Sequence, residues 1–188
     1  KKINIIYISP DPTIVTPTQS KIHLHTFNVI QQYTRSGLFN RMYLFSNKEI
    51  IKIIGDQPIT KMYSMINKQI ANSIETVEWF KTQTPILGSP HTPKIISRIC
   101  TLSVGDFQRK QEKMLFPLDN VTETGYIYSI SKTQLEKNKE LLNDIKEKVI
   151  QDEKNNILSS FAIYPSEHKK SFFYSLKLSH VIQTLEGK

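Results

Sequence analysis

The chain has 188 residues, enough to bury one hydrophobic core or a moderate domain with a smaller companion. Aromatic residues make up 10% of it, which excludes a disordered chain. The net charge of +8 suits an anionic partner such as a nucleic acid or a nucleotide, although the lysines are scattered along the chain rather than clustered.

The start of the chain and its apolar stretches indicate a cellular compartment, and its cysteine indicates a structural thiol. No apolar stretch is long enough to span a bilayer, and Lys1-Lys2 leads into a short apolar run rather than a signal peptide, so we expect a cytoplasmic protein. Because the first residue is Lys rather than Met, we expect the chain as given to be a fragment or a processed product. The single cysteine, Cys100, is expected to be a buried structural thiol.

The first elements predict a βαβ unit. A short, nearly continuous β-branched run at residues 3–8 is typical of a strand buried on both faces of a parallel sheet. Residues 10–18 are a predicted loop, and Thr18 or Ser20 is expected to cap a helix that Gly37 ends. The predicted apolar side of this helix consists of Ile22, Leu24, Phe27, Ile30 and Tyr33. A second buried strand is predicted at residues 42–45, which implies a parallel sheet.

Helices dominate the next predicted segment. A short helix at residues 48–55 precedes a long one at about 60–81. Apolar residues at near-helical spacing make the long helix a core element: Met62, Ile66, Ile70, Ile74 and Val77. A loop at residues 82–92 leads to a third predicted helix at 93–102, opened by Pro93.

The remaining chain predicts a small α+β unit. Residues 106–124 are irregular, and a strand is predicted at 125–130, a polar surface helix at 133–152 and two strands at 158–164 and 172–178. The predicted fold class is therefore α/β: a parallel sheet with crossover helices and a long central helix at residues 1–105, followed by a small α+β domain at 106–188.

Three residues form a candidate binding constellation. Asn47 follows the second strand, and Tyr63 and Asn67 are four positions apart on the long helix, so the latter two share a helix side. An Asn amide matches the donor and acceptor pattern of a purine edge, and a Tyr ring stacks on a base for about 1–3 kcal/mol. The alternative is that Tyr63 is a core aromatic residue and both asparagines are cap or turn residues.

The order of these elements resembles the second half of the nucleotide-binding domain of the tubulin/FtsZ superfamily, and most closely its divergent TubZ-like members from phages and plasmids. Asn47-Lys48-Glu49 is similar to the Asp-Asn-Glu or Pro-Asn-Asp motif that ends a strand in that family. The resemblance covers residues 3–105. It implies a filament-forming cytoskeletal protein that self-associates or binds a complementary chain, with Asn47, Tyr63 and Asn67 contacting the guanine of GTP or GDP.

Two departures from that family affect catalysis. The family's glycine-rich phosphate signature lies in the half that would precede Lys1, so the phosphates and any Mg²⁺ would be held by the missing half or by a partner chain. Residues 82–92 resemble the loop that reaches a neighbouring subunit's nucleotide, yet they contain no Asp or Glu to polarise a water molecule. We therefore expect no catalytic residue in this chain.

Other functions remain open. His23 and His25, with Tyr33, suggest a replication nuclease, but helical flanks would direct the two imidazoles to different sides, so we expect no metal site. The basic and aromatic stretch at residues 168–174 and the net charge make a DNA-binding or replication protein the alternative function. A third possibility is a non-catalytic structural subunit of a larger assembly.

Overall fold

The structure is a computed structural model and describes residues 2–107, 111–168 and 170–185. Its elements are, in chain order, β1 (Asn4–Ser9), α1 (Pro17–Arg35), β2 (Arg41–Ser46), α2 (Asn47–Ile54), α3 (Ile59–Lys81), β3 (Leu87–Gly88), β4 (Ile99–Asp106), β5 (Gln111–Met114), β6 (Glu123–Ser131), α4 (Lys132–Lys137), α5 (Leu141–Lys154), β7 (Leu158–Ser166) and β8 (Phe172–Ser179).

One eight-stranded sheet runs through the described residues in the order β1-β2-β4-β8-β6-β7-β3, and β5 pairs with β4. The pairs β1/β2, β2/β4 and β6/β7 are parallel, whereas β8 is antiparallel to both of its neighbours. The first half of β4 pairs with β2 and its second half with β5. The α/β prediction is confirmed, and the division into units at residues 1–105 and 106–188 stays a prediction.

β2 and α3 confirm the predicted core. Every residue of β2 after Arg41 is buried. On one face of the sheet, Tyr43 and Phe45 pack with the α3 residues Ile66, Ile70 and Val77, because a period near 3.6 places these three side chains on one side of the helix. The long helix is therefore fixed by its apolar side and presents its polar side to solvent.

The prediction that the first strand is buried on both faces is wrong. β1 lies at the end of the sheet, and its side chains alternate between buried Tyr7 and exposed Ile6 and Ile8. A continuous apolar run cannot reveal whether a neighbouring strand and covering helix exist. β1 is consequently an edge strand with one uncovered face.

The cap and the apolar side of α1 also differ from expectation. Thr16 caps the helix in a capping box with Gln19, so neither Thr18 nor Ser20 does. Phe27 is fully buried and Ile30 partly buried, but Ile22, Leu24 and Tyr33 are exposed. The helix ends at Arg35, and Gly37 follows it with a φ of 91°, in agreement with the predicted stop.

The predicted helix at residues 93–102 is wrong, because β4 begins at Ile99. Ile99, Cys100 and Leu102 are fully buried between β2 and β8, and the β-branched residues suit this position. The other differences are smaller. β5 lies within the segment expected to be irregular, and the polar helix expected at residues 133–152 is divided into α4 and α5.

In the described part of the chain, none of the helices combines the length and the apolar character that a membrane crossing requires.

Cys100 is predicted to be unreactive in the folded protein. The side chain is fully buried in β4, and burial raises the pKa of its thiol to about 12, so almost no thiolate forms at pH 8. A disulfide reagent should therefore label Cys100 only after guanidinium chloride unfolds the chain. Labelling of the folded protein at the rate of a free cysteine would contradict this burial.

Candidate functional site

Asn47 lies where β2 ends and α2 begins. Ser46 caps α2 through a hydrogen bond from the backbone N–H of Glu49 to its hydroxyl, 3.4 Å long, and its own N–H donates to the carbonyl of Leu115 at 2.6 Å. Asn47 is thus the first helical residue beyond the carboxyl end of a parallel strand, where α/β sheets bind their ligands. The sheet and the cap together fix its backbone.

The amide of Asn47 has an unsatisfied acceptor. Asn47 is only 9% exposed, and its Oδ1 accepts no hydrogen bond from the described residues. A buried amide oxygen without a partner costs about 1–3 kcal/mol, so such atoms are uncommon and require an explanation. A donor from a bound molecule would supply the missing hydrogen bond.

Tyr63 and Asn67 are both exposed on α3, and the helical spacing places them beside buried Ile66 and Ile70, at the border of the buried side. Tyr63 is 52% exposed, which overturns the alternative that it is a core aromatic residue. α3 packs against α2, the helix that begins at Asn47. No hydrogen bond or ring contact among the described residues joins the three side chains, so their convergence on one ligand stays a prediction.

The segment after α3 is attached to the sheet rather than free. β3 pairs with β7, with flanking hydrogen bonds from Ile86 N–H to the Ile163 carbonyl at 2.8 Å and from Ser89 N–H to the Phe161 carbonyl at 3.0 Å. Gly88 has a φ of 79°, and a Cβ there would lie 2.1 Å from the Phe161 carbonyl oxygen. The close approach therefore requires glycine at this position.

A buried polar network that sequence analysis missed also holds this segment. His91 Nδ1 lies 3.0 Å from Ser160 Oγ, and its Nε2 lies 3.0 Å from Glu123 Oε2. The same carboxylate accepts a hydrogen bond from Lys94 N–H at 3.0 Å and one from the Ser97 hydroxyl. These residues are far apart in sequence, so no local pattern indicates the network.

The charge of Glu123 is stabilised in the fold. Burial works against that charge, but hydrogen bonds from Ser97, the Lys94 N–H and His91 hold the pKa of Glu123 below its ordinary value of 4.5. The side chain is almost completely buried and its oxygens are occupied by these donors. Glu123 adjoins residues 82–92, which contain no Asp or Glu. Because its oxygens already accept these hydrogen bonds, it is not placed to polarise an attacking water molecule.

A second network connects α5 to the sheet. Glu112 contacts Lys148 at 2.8 Å, Lys177 at 3.2 Å and the Ser175 hydroxyl at 2.6 Å. Lys148 Nζ also lies 5.1 Å from the ring centroids of both Tyr126 and Phe173. These contacts join β5, β6, β8 and α5, which indicates a structural role.

A cavity of about 480 Å³ lies between α3 and the carboxyl ends of β6 and β7. Trp79, Phe80 and Phe172 supply its apolar wall, and Ser129 and His168 supply polar groups. None of Asn47, Tyr63 and Asn67 lines it. It is therefore separate from the predicted base site.

His23 and His25 both lie in α1, two positions apart. Residues at this spacing point about 200° apart around a helix, so the two imidazoles cannot share a ligand. Within residues 2–107, 111–168 and 170–185 there is no group of three or more His, Cys, Asp or Glu side chains suited to a metal. The stretch at residues 168–174 includes Lys169, which lies outside the described residues.

No family model matches the sequence, and no curated protein is significantly similar to it. Solved structures do match. An empty FtsZ dimer from M. jannaschii has a TM-score of 0.63 and 8% identity, over 93% of this chain and 54% of that chain. A GTPγS-form TubZ protofilament from Bacillus thuringiensis serovar israelensis has a TM-score of 0.63 and 11% identity, over 94% of this chain and 52% of that chain. This chain has the fold of the matched half of the FtsZ and TubZ structures.

A GDP-bound CetZ1 monomer from Haloferax volcanii agrees, with a TM-score of 0.61 and 14% identity over 96% of this chain and 56% of that chain. The chain therefore spans about half the length of each matched FtsZ-like structure. Identities of this size establish the fold alone. None of these matches supports a nucleic-acid partner, and the assignment to phage or plasmid TubZ proteins stays a prediction.

Acidification is predicted to remove the contribution of Glu123 to stability. Because its pKa is lower in the folded chain than in the unfolded one, the stabilisation is complete above pH 4.5 and declines as pH falls through the folded-state pKa. Glu123→Gln should lower the free energy of unfolding by about 2 kcal/mol at pH 7, with a smaller difference near pH 3. Urea unfolding at several pH values measures this.

Glu153→Gln is the matched control, because Glu153 is exposed on α5. It should leave the free energy of unfolding unchanged within about 0.5 kcal/mol. A Glu123→Gln difference that is constant from pH 7 to pH 3 would contradict the stabilised carboxylate.

Proposed function

We propose that this chain is the guanine-recognising part of an FtsZ/TubZ-like, filament-forming cytoskeletal protein. Asn47, Tyr63 and Asn67 contact the guanine of GTP or GDP. The phosphate side of the nucleotide, with any Mg²⁺, belongs to polypeptide beyond these 188 residues or to a partner chain.

The observation that carries the proposal is the buried, unpartnered Oδ1 of Asn47 at the carboxyl end of β2. Guanine presents N–H donors at N1 and at its exocyclic N2 amino group, positions where adenine has an acceptor nitrogen and a C–H. An amide oxygen fixed in this position accepts a hydrogen bond from these N–H groups. The same atom accounts for both affinity and discrimination between purines.

Tyr63 and Asn67 supply the second side of the proposed site. They are four positions apart on one side of α3, which packs against α2. An exposed Tyr ring can stack on the flat face of the base, and the Asn67 amide can donate to or accept from its edge. The base would then lie between the amino end of α2 and the exposed side chains of Tyr63 and Asn67 on α3.

The proposed role in this chain is binding and assembly rather than hydrolysis. Residues 82–92 contain no Asp or Glu, and the nearby Glu123 is buried and hydrogen-bonded. A head-to-tail neighbour would thus receive no catalytic carboxylate from this segment. The matched structures include a TubZ protofilament and a two-stranded TubZ filament, which favours self-association as the mode of assembly.

Guanosine is the appropriate probe, because it carries the base without the phosphates. Titration followed by amide NMR shifts should give a measurable Kd for the wild-type chain and weaker binding of adenosine. Asn67→Ala and Asn47→Ala should each weaken guanosine binding about tenfold, equivalent to about 1.4 kcal/mol. Tyr63→Phe should retain most of the affinity and Tyr63→Ala should lose it, since stacking needs only the ring.

Asn28→Ala is the matched control, because Asn28 is an exposed helical asparagine on α1. It should leave the guanosine Kd unchanged. Equal affinities for guanosine and adenosine, or unchanged binding in both Asn47→Ala and Asn67→Ala, would refute the proposed site.

A further inference from the structure

Three neighbouring strands begin at one edge of the sheet. β1, β2 and β4 are parallel, so the segments that precede them lie side by side at the amino ends of the strands. The N–H of Asn40 donates to the carbonyl of Ile3 at 2.7 Å. Arg98 Nη1 donates to the carbonyls of Phe39 and Asn40 at 3.3 and 3.1 Å. We call these segments together the amino-end surface: residues 2–3, 35–41 and 94–98.

A tight turn presents two isoleucines on this surface. Ile95 and Ile96 are 79% and 67% exposed at its tip, where turns ordinarily carry Gly, Pro, Asn, Asp or Ser. A 3.2 Å hydrogen bond from the Ser97 N–H to the Lys94 carbonyl closes the turn. The buried carboxylate of Glu123 anchors both of its ends, because it accepts from the Lys94 N–H at 3.0 Å and from the Ser97 hydroxyl. The two apolar side chains are therefore held in solvent on a fixed support.

Two more apolar side chains lie on the adjoining segments. Leu38, in the loop whose carbonyls Arg98 binds, is 62% exposed, and Ile3, just before β1, is 57% exposed. A single exposed apolar residue needs no explanation, whereas a group of them on adjacent segments marks an interaction site. The amino-end surface carries such a group.

The charge of the amino-end surface has one sign. Its segments contain no Asp or Glu and several basic residues: Lys2, Arg35, Arg41, Lys94 and Arg98. At the other end of β1, the loop at residues 10–16 contains Asp11 and no Lys or Arg. The positive charge is thus concentrated around the exposed apolar side chains at the amino ends of the strands.

We propose that the amino-end surface docks on an anionic lipid bilayer, with Ile95, Ile96 and Leu38 inserted at the boundary of the acyl chains. Apolar side chains gain free energy from insertion at this boundary, and Lys and Arg are attracted to a negatively charged leaflet. Asn47 lies at the opposite, carboxyl end of β2, so docking leaves the proposed base site accessible. The inference does not depend on guanine recognition.

Other partners fit this surface less well. Single-stranded nucleic acid is bound by stacking on aromatic rings, whereas the most exposed apolar side chains of this surface are aliphatic. Protein interfaces draw most of their affinity from Trp, Tyr and Arg buried in pockets, whereas Ile95 and Ile96 project into solvent. Pairing this surface with the same surface of a second copy brings like charges together.

Co-sedimentation with lipid vesicles tests the proposal. The full 188-residue chain should bind vesicles of about 70% phosphatidylcholine and 30% phosphatidylserine at least about tenfold more tightly than phosphatidylcholine alone. Added salt should weaken this binding. The double variant Ile95→Ser/Ile96→Ser should weaken it about tenfold. Lys94→Gln, which keeps the backbone N–H that Glu123 binds, should weaken it about fivefold.

Ile150→Ser and Lys146→Gln are the matched controls, because both residues are exposed on α5. They should retain the wild-type affinity for the anionic vesicles. Equal binding to the two kinds of vesicle would overturn the proposal, as would wild-type binding by Ile95→Ser/Ile96→Ser with folding verified by circular dichroism. Sedimentation without vesicles that Ile95→Ser/Ile96→Ser abolishes would assign the surface to a second copy and overturn it too.

A fluorescent probe at Leu38 tests insertion separately from affinity. Cys100 is buried, so a polarity-sensitive maleimide should label only the new thiol of Leu38→Cys or, in the control, of Ile150→Cys. Phosphatidylserine vesicles should raise the fluorescence at Leu38→Cys at least about twofold and leave Ile150→Cys unchanged. Glycerophosphoserine, the headgroup without acyl chains, should raise neither. An equal rise with glycerophosphoserine would indicate a phosphate site without insertion and overturn the proposal.

Discussion

The position of β4 between β2 and β8 holds the molecule together. The register pairs Ile99–Thr101 with the parallel strand β2 and every residue of β4 with the antiparallel strand β8. Thr101 strengthens the first junction through a 2.8 Å hydrogen bond from its hydroxyl to the Leu44 carbonyl. Because β4 is fully buried at this point, the βαβ unit and the strands after residue 106 share one continuous sheet.

This junction determines where the proposed site lies. β4 keeps β2 in the interior of the sheet, so the residue that follows β2 occupies a protected position at its carboxyl end. α3 covers the same face and runs from beside α2 to the strands after residue 106, where Phe80 contacts Tyr164 with ring centroids 4.6 Å apart. The amino end of α3 therefore carries the proposed base contacts, and its carboxyl end attaches to the later strands.

Sequence periodicity was sufficient to predict β2, α3 and the last two strands. Their patterns are long or bounded by clear stops, and Ile66, Ile70 and Val77 are buried as expected. It was insufficient at residues 93–102, because a short apolar run such as Ile95-Ile96 with Ile99-Cys100 fits a helix and a buried strand equally well. Whether β1 is buried on both faces depends on a second neighbouring strand and a covering helix. No pattern within β1 reveals whether these exist.

The candidate site likewise contains residues that the sequence indicates and residues that it does not. Asn47, Tyr63 and Asn67 were recognisable because their identities and spacing are local, and the structure adds the orphaned Asn47 oxygen. The contacts of His91, Ser97 and Ser160 were not recognisable, since each depends on tertiary pairing across many residues. Glu123 gave no signal, because an acidic residue at the start of a strand ordinarily faces solvent.

The proposed site requires that three side chains meet one guanine. Intermolecular NOEs between guanosine and the isotope-labelled chain test it most directly. Guanine protons should give NOEs to the Tyr63 ring and to the side-chain amides of Asn47 and Asn67 in a single complex. NOEs confined to another surface, such as the cavity beside Trp79, would contradict it.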